Sequence, residues 1–267
     1  MSSKKDLESL CKAALPTVRK ASEFIYDQIG KVGNDAIEAK EKNSLVSYVD
    51  KTAEEKIVEG LNKIIPEASF LTEEGTVEQG DGDLRWIIDP LDGTTNFLHN
   101  VPHFSVSVAL EMYGDLVIGI VEEINKKETH YAWKGGGAFM NGGQIQVTKT
   151  NKIEDALLVT GFPYSVEDTA PILEILDYWI KNTRGIRRFG SAALDLAYVA
   201  RGVFDFYYET TLNAWDVAGG TVLVREANGV ISDYYGNDDF FQSGRILASN
   251  GILHQEILSV IQKAIDR

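Results

Sequence analysis

Residues 86–97 restrict the possible folds of this chain more than any other segment. An apolar run reads as a strand that ends at Asp89, Pro90 fixes the following turn, and Asp92 precedes Gly93-Thr94-Thr95, which has the character of a first helical turn. This order predicts that two carboxylates point at one place beside the backbone amides of a helix N-terminus, where the glycine lets an anion approach closely. For this segment alone, the alternative that both aspartates only cap the turn and the helix remains open.

Further carboxylates follow other apolar runs. Asp50 comes after residues 45–49, Glu73 comes after a predicted strand at 69–71, and Asp216 opens a predicted helix with small, apolar neighbours. Taken singly, each is also explained as a surface or capping residue. If they converge, however, several buried acids need a counter-charge, because they cannot all stay ionised together. Mg²⁺ or Mn²⁺ suits such oxygen ligands best.

The acidic composition narrows the classes of partner. The 267 residues include 40 acidic and 26 basic ones, for a formal charge of −14, which repels nucleic acid and anionic lipid. We therefore expect no nucleic-acid partner and no membrane association, and a bound cation would reconcile this charge with an anionic substrate. The lone Cys11 excludes a cysteine-based zinc site and indicates a reducing compartment. The first residues lack the apolar stretch of a signal peptide, and the apolar runs are too short to span a bilayer. The sequence therefore predicts a cytoplasmic protein.

The pattern of apolar residues predicts layers of helices and strands. Spacings of three and four from Leu7 to Ile29 predict a long first helix, residues 31–43 a polar loop or mobile arm, and residues 45–49 a strand. A second helix follows to about Ile65, with Thr52 and Glu55 in capping-box spacing. The length favours one domain over 1–267, with possible halves at about 1–150 and 151–267.

The remaining segments alternate between the two types of secondary structure. Predicted strands fall at 69–71, 84–88, 104–112 and 116–124 as a hairpin, 129–133, 144–147, 157–160, 203–208, 229–232 and 246–248, and predicted helices at about 168–181, 191–201, 215–227 and 252–265. Short strands mixed with amphipathic helices are typical of an α/β architecture.

Six motifs in a fixed order carry a resemblance to a known family. They are residues 45–51, 70–75, 86–97, 135–142, 189–193 and 215–220. Together they resemble the inositol monophosphatase family, among the lithium-sensitive, metal-dependent sugar phosphatases, over nearly the whole chain. Residues 161–164, Gly-Phe-Pro-Tyr, are similar to its bacterial branch. The resemblance implies an α/β fold, a five-layer αβαβα sandwich of the inositol monophosphatase and fructose-1,6-bisphosphatase type, and a homodimer.

The resemblance also implies a role for individual residues. It implies two or three Mg²⁺ ions, with Mn²⁺ as a substitute, held by Glu73, Asp89, the carbonyl of Leu91, Asp92 and Asp216. Asp50 and Thr94 are implied to orient and deprotonate the attacking water, with Glu73 as a further catalytic acid. The implied substrate contacts are Asp92, Gly93, Thr94, Gly190, Ser191, Ala192, Glu209 and Asp216. The sequence departs from the family pattern at Thr72, where a glycine is common, and at Ser191, often a threonine; neither change removes a ligand.

The implied function is Mg²⁺-dependent hydrolysis of inositol monophosphate to inositol and phosphate, with lithium as an inhibitor. Metal-activated water would attack directly, without a covalent intermediate. The alternatives are a related phosphatase acting on fructose-1,6-bisphosphate, histidinol phosphate or 3′-phosphoadenosine 5′-phosphate, and a non-catalytic regulator with the same fold. Glu209 favours a small polyol only moderately, because a carboxylate accepts hydrogen bonds from any sugar diol. Aspartyl-phosphate chemistry is disfavoured, since two residues rather than one separate Asp89 from Asp92.

Several other motifs are interpreted as structural. His99 and His103 are expected to pack or cap, and His130 and His254 to lie on a strand and a helix surface. Arg184, Arg187 and Arg188 are expected on a solvated or ion-paired face, with contact to an anion or a neighbouring subunit as the alternative. The three glycines at 135–137 lack the Gly-x-Gly-x-x-Gly spacing of a dinucleotide loop and favour hairpin geometry instead.

Overall fold

The computed structural model describes residues 4–33, 37–41, 44–162 and 169–266. Its helices are α1 (Lys4–Gln28), α2 (Tyr48–Asn62), α3 (Thr94–Leu98), α4 (Ala170–Asn182), α5 (Ala192–Ala200), α6 (Ala214–Glu226), α7 (Phe240–Ser243) and α8 (His254–Ile265). Its strands are β1 (Ile37–Glu41), β2 (Ser44–Ser47), β3 (Ser69–Thr72), β4 (Leu84–Asp92), β5 (Ser105–Met112), β6 (Asp115–Glu123), β7 (Glu128–Trp133), β8 (Gly137–Met140), β9 (Gly143–Ile145), β10 (Leu157–Thr160), β11 (Gly185–Arg187), β12 (Phe206–Thr210), β13 (Val230–Ser232) and β14 (Arg245–Ser249).

Two large sheets and three layers of helices alternate through the molecule. One sheet has the strand order β3-β4-β5-β6-β7-β8-β9 and the other β11-β10-β12-β14-β13. Helices α1 and α2 cover the outer face of the first sheet, α5 and α6 lie between the sheets, and α4 and α8 cover the outer face of the second. This is the predicted five-layer αβαβα sandwich, because each sheet buries both faces against helices.

A row of small residues crosses the first sheet and receives α6. Ala109 on β5, Gly119 on β6, Ala132 on β7 and Ala138 on β8 are paired neighbours. A Cβ atom on Gly119 would lie only 2.3 Å from the carbonyl oxygen of Gly219 on α6. Because both contacting residues are glycines, the backbone of α6 approaches the sheet closely. This contact fixes the position of α6, and with it the position of its first turn, relative to the sheet.

The long first helix is confirmed, and its apolar spacing explains its position. Its core-facing residues include Cys11, Val18 and Ile25, each fully buried against the first sheet. The predicted hairpin of residues 104–112 and 116–124 is also confirmed, as β5 and β6. No helix among the residues that the structure describes is long and apolar enough to cross a membrane.

The region before α2 differs from the prediction. Within residues 31–43 the structure places β1, which pairs with β2 as a separate two-stranded hairpin; residues 34–36 and 42–43 lie outside the described part. The strand ends at Ser47, so Val49 and Asp50 belong to α2 instead of ending a strand. The capping box is formed by Ser47 and Asp50 and not by Thr52 and Glu55. A serine side chain that bonds the first helical amides is the stronger helix start.

Other short elements and two histidines also correct the sequence interpretation. β8, β11 and α7 were not predicted; each has only three or four residues, which is too short for a periodic pattern. His130 and His254 are buried, at 0% and 3% exposure, and not on the surface. The start of the helix expected at 168 and the Pro163-Tyr164 motif lie outside the described residues. The division into one domain or two halves stays a prediction.

Candidate active site

Parallel pairing of β3 and β4 brings the first two acids together. Thr72 pairs with Ile88, so the next residues of the two strands, Glu73 and Asp89, emerge side by side at the same sheet edge. The Glu73 amide donates to the Ile88 carbonyl at 3.2 Å, and the Glu73 and Asp89 side chains are hydrogen-bonded to each other. The sheet register therefore produces the first pair of carboxylates.

A bulge in β4 turns Asp92 to the side of Asp89. Residues three apart in a regular strand point to opposite faces. Here Asp89 pairs with Ser107 and Asp92 with Ser105, so the two residues of β4 between them oppose a single residue of β5. The extra residue returns both carboxylates to one face. Pro90 suits such a position because it has no amide to donate.

Asp92 also connects this turn to the start of α5. Its Oδ2 accepts hydrogen bonds from the Ser191 hydroxyl at 2.6 Å and from the Ala193 amide at 2.7 Å. Gly190 and Ala192 adjoin these donors, so this predicted substrate turn lies against Asp92. The structure thus brings the 190–192 segment and the β4 turn together across a long sequence separation.

Asp216 reaches the same cluster from α6. It is the third residue of the helix, and its Oδ2 accepts the amide of Asn213 at 2.6 Å in a capping box. The side chain is half-buried, as predicted. Close packing of α6 on β4, β5 and β6 holds this helix start beside the end of β4.

The four acids strongly influence one another. Burial raises the pKa of Asp89 well above its usual range, and the charges of Glu73, Asp92 and Asp216 raise that pKa further. Burial also raises the pKa of Asp92 to about 6, although the Ser191 and Ala193 donors oppose the change. The pKa of Asp216 is raised chiefly by burial, despite the Asn213 amide, and further by Asp92 and Glu73. The cluster is therefore a concentration of poorly compensated negative charge.

The donor chemistry of this cluster fits a hard divalent cation. Its ligands are carboxylate oxygens, which Mg²⁺ prefers. Across the described ranges, no three or more His, Cys, Asp or Glu side chains are already grouped in a way that could hold a metal ion.

Asp50 and Thr94 form a hydrogen-bonded pair next to this cluster. Asp50 is 1% exposed, and its Oδ1 lies 2.9 Å from the Thr94 hydroxyl. Its Oδ2 accepts from the Ser47 amide at 2.9 Å and the Ser47 hydroxyl at 2.8 Å. Burial raises the pKa of Asp50, while these hydrogen bonds oppose that rise. The Thr94 hydroxyl also lies 2.9 Å from the Leu91 carbonyl oxygen.

Gly93 occupies the tightest point of the turn. Its φ of +95° and the carbonyls of His103 and Gly190, 3.1 and 3.2 Å from where a Cβ would lie, make a larger residue unfavourable. Asn96 fixes the same turn, because its Nδ2 donates to the carbonyls of His103 and Phe189, both at 2.8 Å. The turn therefore presents its backbone at a fixed position.

Glu209 lies on β12 at the other side of the site. The Tyr207 hydroxyl donates to its Oε2 at 2.6 Å, and a Cβ on Gly161 would lie 1.9 Å from the same oxygen. Burial raises the pKa of Glu209 to about 7, although Tyr207 and the charge of Arg188 oppose the rise. Arg188 also lies over Phe162, 6.0 Å from the ring centroid, so it is closer to the site than its sequence suggested.

The other histidines and arginines agree with their structural interpretation. His103 is buried and packs on Phe189, with ring centroids 4.8 Å apart, and His99 caps the end of α3. Arg184 pairs with Asp155 at 2.8 Å on an exposed face. The residues 135–137 form the turn that leads into β8.

Two buried acids near the site were not found by sequence reasoning. Glu54 on α2 accepts four hydrogen bonds from residues 72–76. Its position four residues after Asp50, on the same helix face, could have indicated it. Asp195 on α5 has a buried Oδ1 with no hydrogen-bond partner among the described residues, 3.9 Å from His103. The apolar residues on both sides of Asp195, among them Leu194 and Leu196, could have indicated a buried helix and hence a buried acid.

Comparison with known proteins assigns the fold and the family. The sequence matches the family model for the inositol monophosphatase family over residues 6–266. The chain belongs to the inositol monophosphatase family. The resemblance found in the sequence is therefore confirmed for the family and its fold.

Several individual relatives in the inositol monophosphatase family are similar to this chain over nearly their full length. The Nus factor SuhB of Pseudomonas aeruginosa is 38% identical over 262 residues, covering 96% of this chain and 97% of the relative. The inositol-1-monophosphatase of Rhizobium meliloti is 40% identical over 259 residues, covering 96% and 97%. The solved structure of the extragenic suppressor protein suhB from Bartonella henselae has a TM-score of 0.89 at 36% identity, covering 96% of this chain and 99% of that one. A Thermotoga maritima IMPase has a TM-score of 0.87 at 34% identity, covering 95% and 96%.

Proposed function

We propose that this protein is a Mg²⁺-dependent phosphomonoesterase that hydrolyses inositol monophosphate to inositol and phosphate. The observation that carries the proposal is the meeting of Glu73, Asp89, Asp92 and Asp216 in one partly buried, mutually repelling cluster. Relatives named inositol-1-monophosphatase support the substrate. So does the solved structure of an inositol monophosphate bound SaIMPase-II, which is 26% identical with a TM-score of 0.78.

The cluster would hold Mg²⁺ through its oxygen atoms. Glu73, Asp89 and the Leu91 carbonyl are the proposed ligands of one ion, and Asp89, Asp92 and Asp216 those of a second, with a third, looser ion near Glu73. Bound Mg²⁺ supplies a more acidic water and neutralises charge on the phosphate and the leaving oxygen. Mn²⁺ is expected to substitute, since it accepts the same hard oxygen ligands.

Asp50 and Thr94 are suited to orient the attacking water. The Thr94 hydroxyl has one proton but two acceptors at 2.9 Å, Asp50 and the Leu91 carbonyl. An ionised Asp50 attracts that proton more strongly, which leaves the oxygen lone pairs of Thr94 free to accept a hydrogen bond from water. Ser47 fixes the Asp50 carboxylate through two further bonds. The pair thus orients water and, with Glu73, can receive its proton.

The substrate would lie between the β4 turn and β12. The amides of Gly93 and Thr94 are proposed to hold phosphate oxygens, because the glycine leaves the main chain accessible. Asp92, Gly190, Ser191, Ala192, Glu209 and Asp216 are the proposed polyol contacts. Carboxylates and backbone groups of this kind recognise hydroxyls by accepting and donating hydrogen bonds.

The test is phosphate release from inositol 1-phosphate, fructose-1,6-bisphosphate, histidinol phosphate and 3′-phosphoadenosine 5′-phosphate, with and without Mg²⁺. We expect Mg²⁺-dependent release with a clear preference for inositol 1-phosphate. A preference for another ester would retain the chemistry and change the substrate. If folded, Mg²⁺-loaded protein releases phosphate from none of the four esters, the proposal is contradicted.

A non-catalytic regulatory role is the second candidate. It is favoured by the name Nus factor SuhB, carried by relatives 37–40% identical to this chain. The presence of every proposed acid in this sequence favours catalysis instead. Phosphate release that requires Mg²⁺ would exclude a purely non-catalytic role.

The remaining properties implied by the family are further proposals. We infer a homodimer, inhibition by lithium, a cytoplasmic location and a single domain over 1–267. Light scattering after size-exclusion chromatography would give the oligomeric state, and a lithium titration of the phosphate-release assay would test inhibition.

A further inference from the structure

Glu54 is a fully buried carboxylate that the proposed chemistry does not use. It lies on α2 at 0% exposure, four residues after Asp50. Residues four apart lie on the same helix face, one turn from each other. One face of α2 therefore carries both the acid that contacts Thr94 and a second acid directed at a different part of the site.

The partners of Glu54 all come from the segment that contains Glu73. Its Oε1 accepts from the Thr72 hydroxyl at 2.9 Å and from the amide and hydroxyl of Thr76, both at 2.7 Å. Its Oε2 accepts from the Glu74 amide at 2.8 Å. These bonds lie on both sides of Glu73 in the sequence, so the backbone on either side of that residue is fixed to α2.

Packing alone does not explain a carboxylate at this place. Burying a charge is unfavourable unless hydrogen bonds replace its water. The 72–76 segment supplies four such bonds, three to Oε1 and one to Oε2, so both carboxylate oxygens are hydrogen-bonded. Such fully bonded buried groups hold their partners in one geometry.

A second contact shows what Glu54 adds. Gln79 also fixes this segment, because its Oε1 accepts from the Thr72 amide at 2.8 Å and its Nε2 donates to the Thr72 hydroxyl at 3.0 Å. Gln79 therefore holds the residue before Glu73. Glu54 additionally bonds Glu74, the residue after it, and so restrains the direction in which the Glu73 side chain leaves the backbone.

We propose that Glu54 is a positioning residue for the metal ligand Glu73. Through one rigid helix, it sets Glu73 relative to Asp50, so that the cation and the attacking water keep a fixed relation. This inference rests on the proposed metal-dependent function. Residues that orient a metal ligand in this way typically change metal affinity about 10–100-fold when substituted.

The test variant is Glu54→Gln, which keeps the shape of the side chain. The amide oxygen can retain the three bonds made by Oε1, but the amide NH₂ then faces the N–H of Glu74, donor against donor. We expect Mn²⁺, measured by electron paramagnetic resonance, to bind at least about 10-fold more weakly. Hydrogen exchange should rise at the amides of residues 73–76, and kcat should largely recover at saturating Mg²⁺.

The matched control is Asp233→Asn, in the turn between β13 and α7. Asp233 is also a buried acid, which accepts from the Tyr235 amide at 2.8 Å and the Asn237 amide at 2.7 Å. Its substitution should lower the melting temperature and leave Mn²⁺ affinity unchanged. A merely structural role of Glu54 would give the same result as this control.

A milder pair of variants keeps the proposal testable if Glu54→Gln does not fold. Thr76→Val removes the hydroxyl bonded to Glu54, and Thr76→Ser retains it. We expect weaker Mn²⁺ binding for the valine variant and wild-type binding for the serine variant. Equal Mn²⁺ affinity in wild type, Glu54→Gln and Thr76→Val would overturn the inference.

The two proposals can fail separately. If the wild type binds Mn²⁺, loses affinity on Glu54→Gln and yet hydrolyses no ester, the proposed function is wrong and the positioning role stands. If it hydrolyses inositol 1-phosphate and Glu54→Gln binds Mn²⁺ normally, the positioning role is wrong. A wild type that binds no Mn²⁺ contradicts the proposed metal site and this inference together.

Discussion

The Thr94 hydroxyl has a role that can be separated from metal binding. Its oxygen contacts Asp50 and the Leu91 carbonyl and does not belong to the four-acid cluster. We expect Thr94→Val to lower kcat about 10²–10⁴-fold, the range for losing a group that aids proton transfer. Mn²⁺ affinity should change little, and Thr94→Ser should behave like the wild type. Loss of Mn²⁺ binding with an unchanged kcat at saturation would contradict the water-orienting role.

His130 makes the stability of the fold sensitive to acid. Burial lowers its pKa from 6.5 to about 4, so below pH 6.5 the unfolded chain binds a proton that the folded chain does not. The contribution of His130 to the free energy of unfolding therefore falls as the pH drops through this window. For His130→Gln we expect the fall between pH 7 and pH 5 to be smaller by about 2 kcal/mol.

Urea unfolding of both proteins at the two pH values checks this expectation. The test compares the pH dependence of the free energy of unfolding in wild type and variant. The pH dependence of either protein alone is not decisive, because buried acids with raised pKa values change that free energy in the opposite direction. An identical pH dependence in wild type and variant would show that His130 is protonated equally in both states.

Local sequence predicted some site residues and missed others for identifiable reasons. Asp89 and Asp92 were predictable because a strand, a proline and a glycine define their turn within a few residues. Asp50 was assigned to a strand end, since residues 45–49 are apolar, but the Ser47 side chain starts the helix two residues earlier than the apolar run ends. Glu54 was missed because its partners, residues 72–76, are distant in sequence.

The contact between β6 and α6 determines where Asp216 lies. A Cβ on Gly119 would come within 2.3 Å of the Gly219 carbonyl and 2.8 Å of the Val222 Cβ. We expect Gly119→Ala to lower the free energy of unfolding by about 1–3 kcal/mol, as overpacking does, and to weaken Mn²⁺ binding by displacing the start of α6. Thermal melting and Mn²⁺ titration provide the measurements.

Gly143→Ala is the control for this substitution. The Cβ at that β9 position would meet only the Met140 carbonyl at 3.5 Å, an ordinary contact. Its melting temperature and Mn²⁺ affinity should match the wild type. A Gly119→Ala protein that also matches would show that α6 can shift without affecting the site.

Helices and long strands were predicted better than short or polar ones. The first helix shows several turns of regular apolar spacing, whereas β8 and β11 have four and three residues. Strand β1 was missed because polar residues dominate the 31–43 segment. It belongs to a two-stranded hairpin and not to either large sheet, so an apolar face was not available to identify it.

The four-acid cluster makes the stability of the protein depend on cations. Because Glu73, Asp92 and Asp216 all oppose ionisation of Asp89, a cation that binds only the folded state should stabilise it, by about 2.7 kcal/mol at 100 times its Kd. We expect Mg²⁺ to raise the melting temperature of the wild type.

Asp89→Asn should separate this stabilisation from folding. The variant removes one ionisable group from the cluster, so without Mg²⁺ its melting temperature should equal or exceed that of the wild type. Mg²⁺ should raise it little, and Mg²⁺-dependent turnover should be lost. Wild-type turnover in this variant would contradict the proposed bridging role of Asp89.

The arrangement of the layers could not be derived from local patterns. Apolar spacing predicted an α/β architecture, but the five-layer order was implied only by the family resemblance. Both the order β11-β10-β12-β14-β13 and the position of α6 between the sheets depend on contacts between distant segments. Sequence periodicity reports which face of an element is buried and not which element covers it.

The row of small residues that receives α6 has a consequence for the growing chain. Ribosomes make proteins from the N-terminus, and domains form as their segments emerge. This row consists of Ala109, Gly119, Ala132 and Ala138, which are all translated before Asp216. During synthesis, the row and three of the four acids are therefore made before the helix that covers the row. The cluster can be completed only after the nascent chain delivers α6, so the carboxylate site cannot form before Asp216 has been translated.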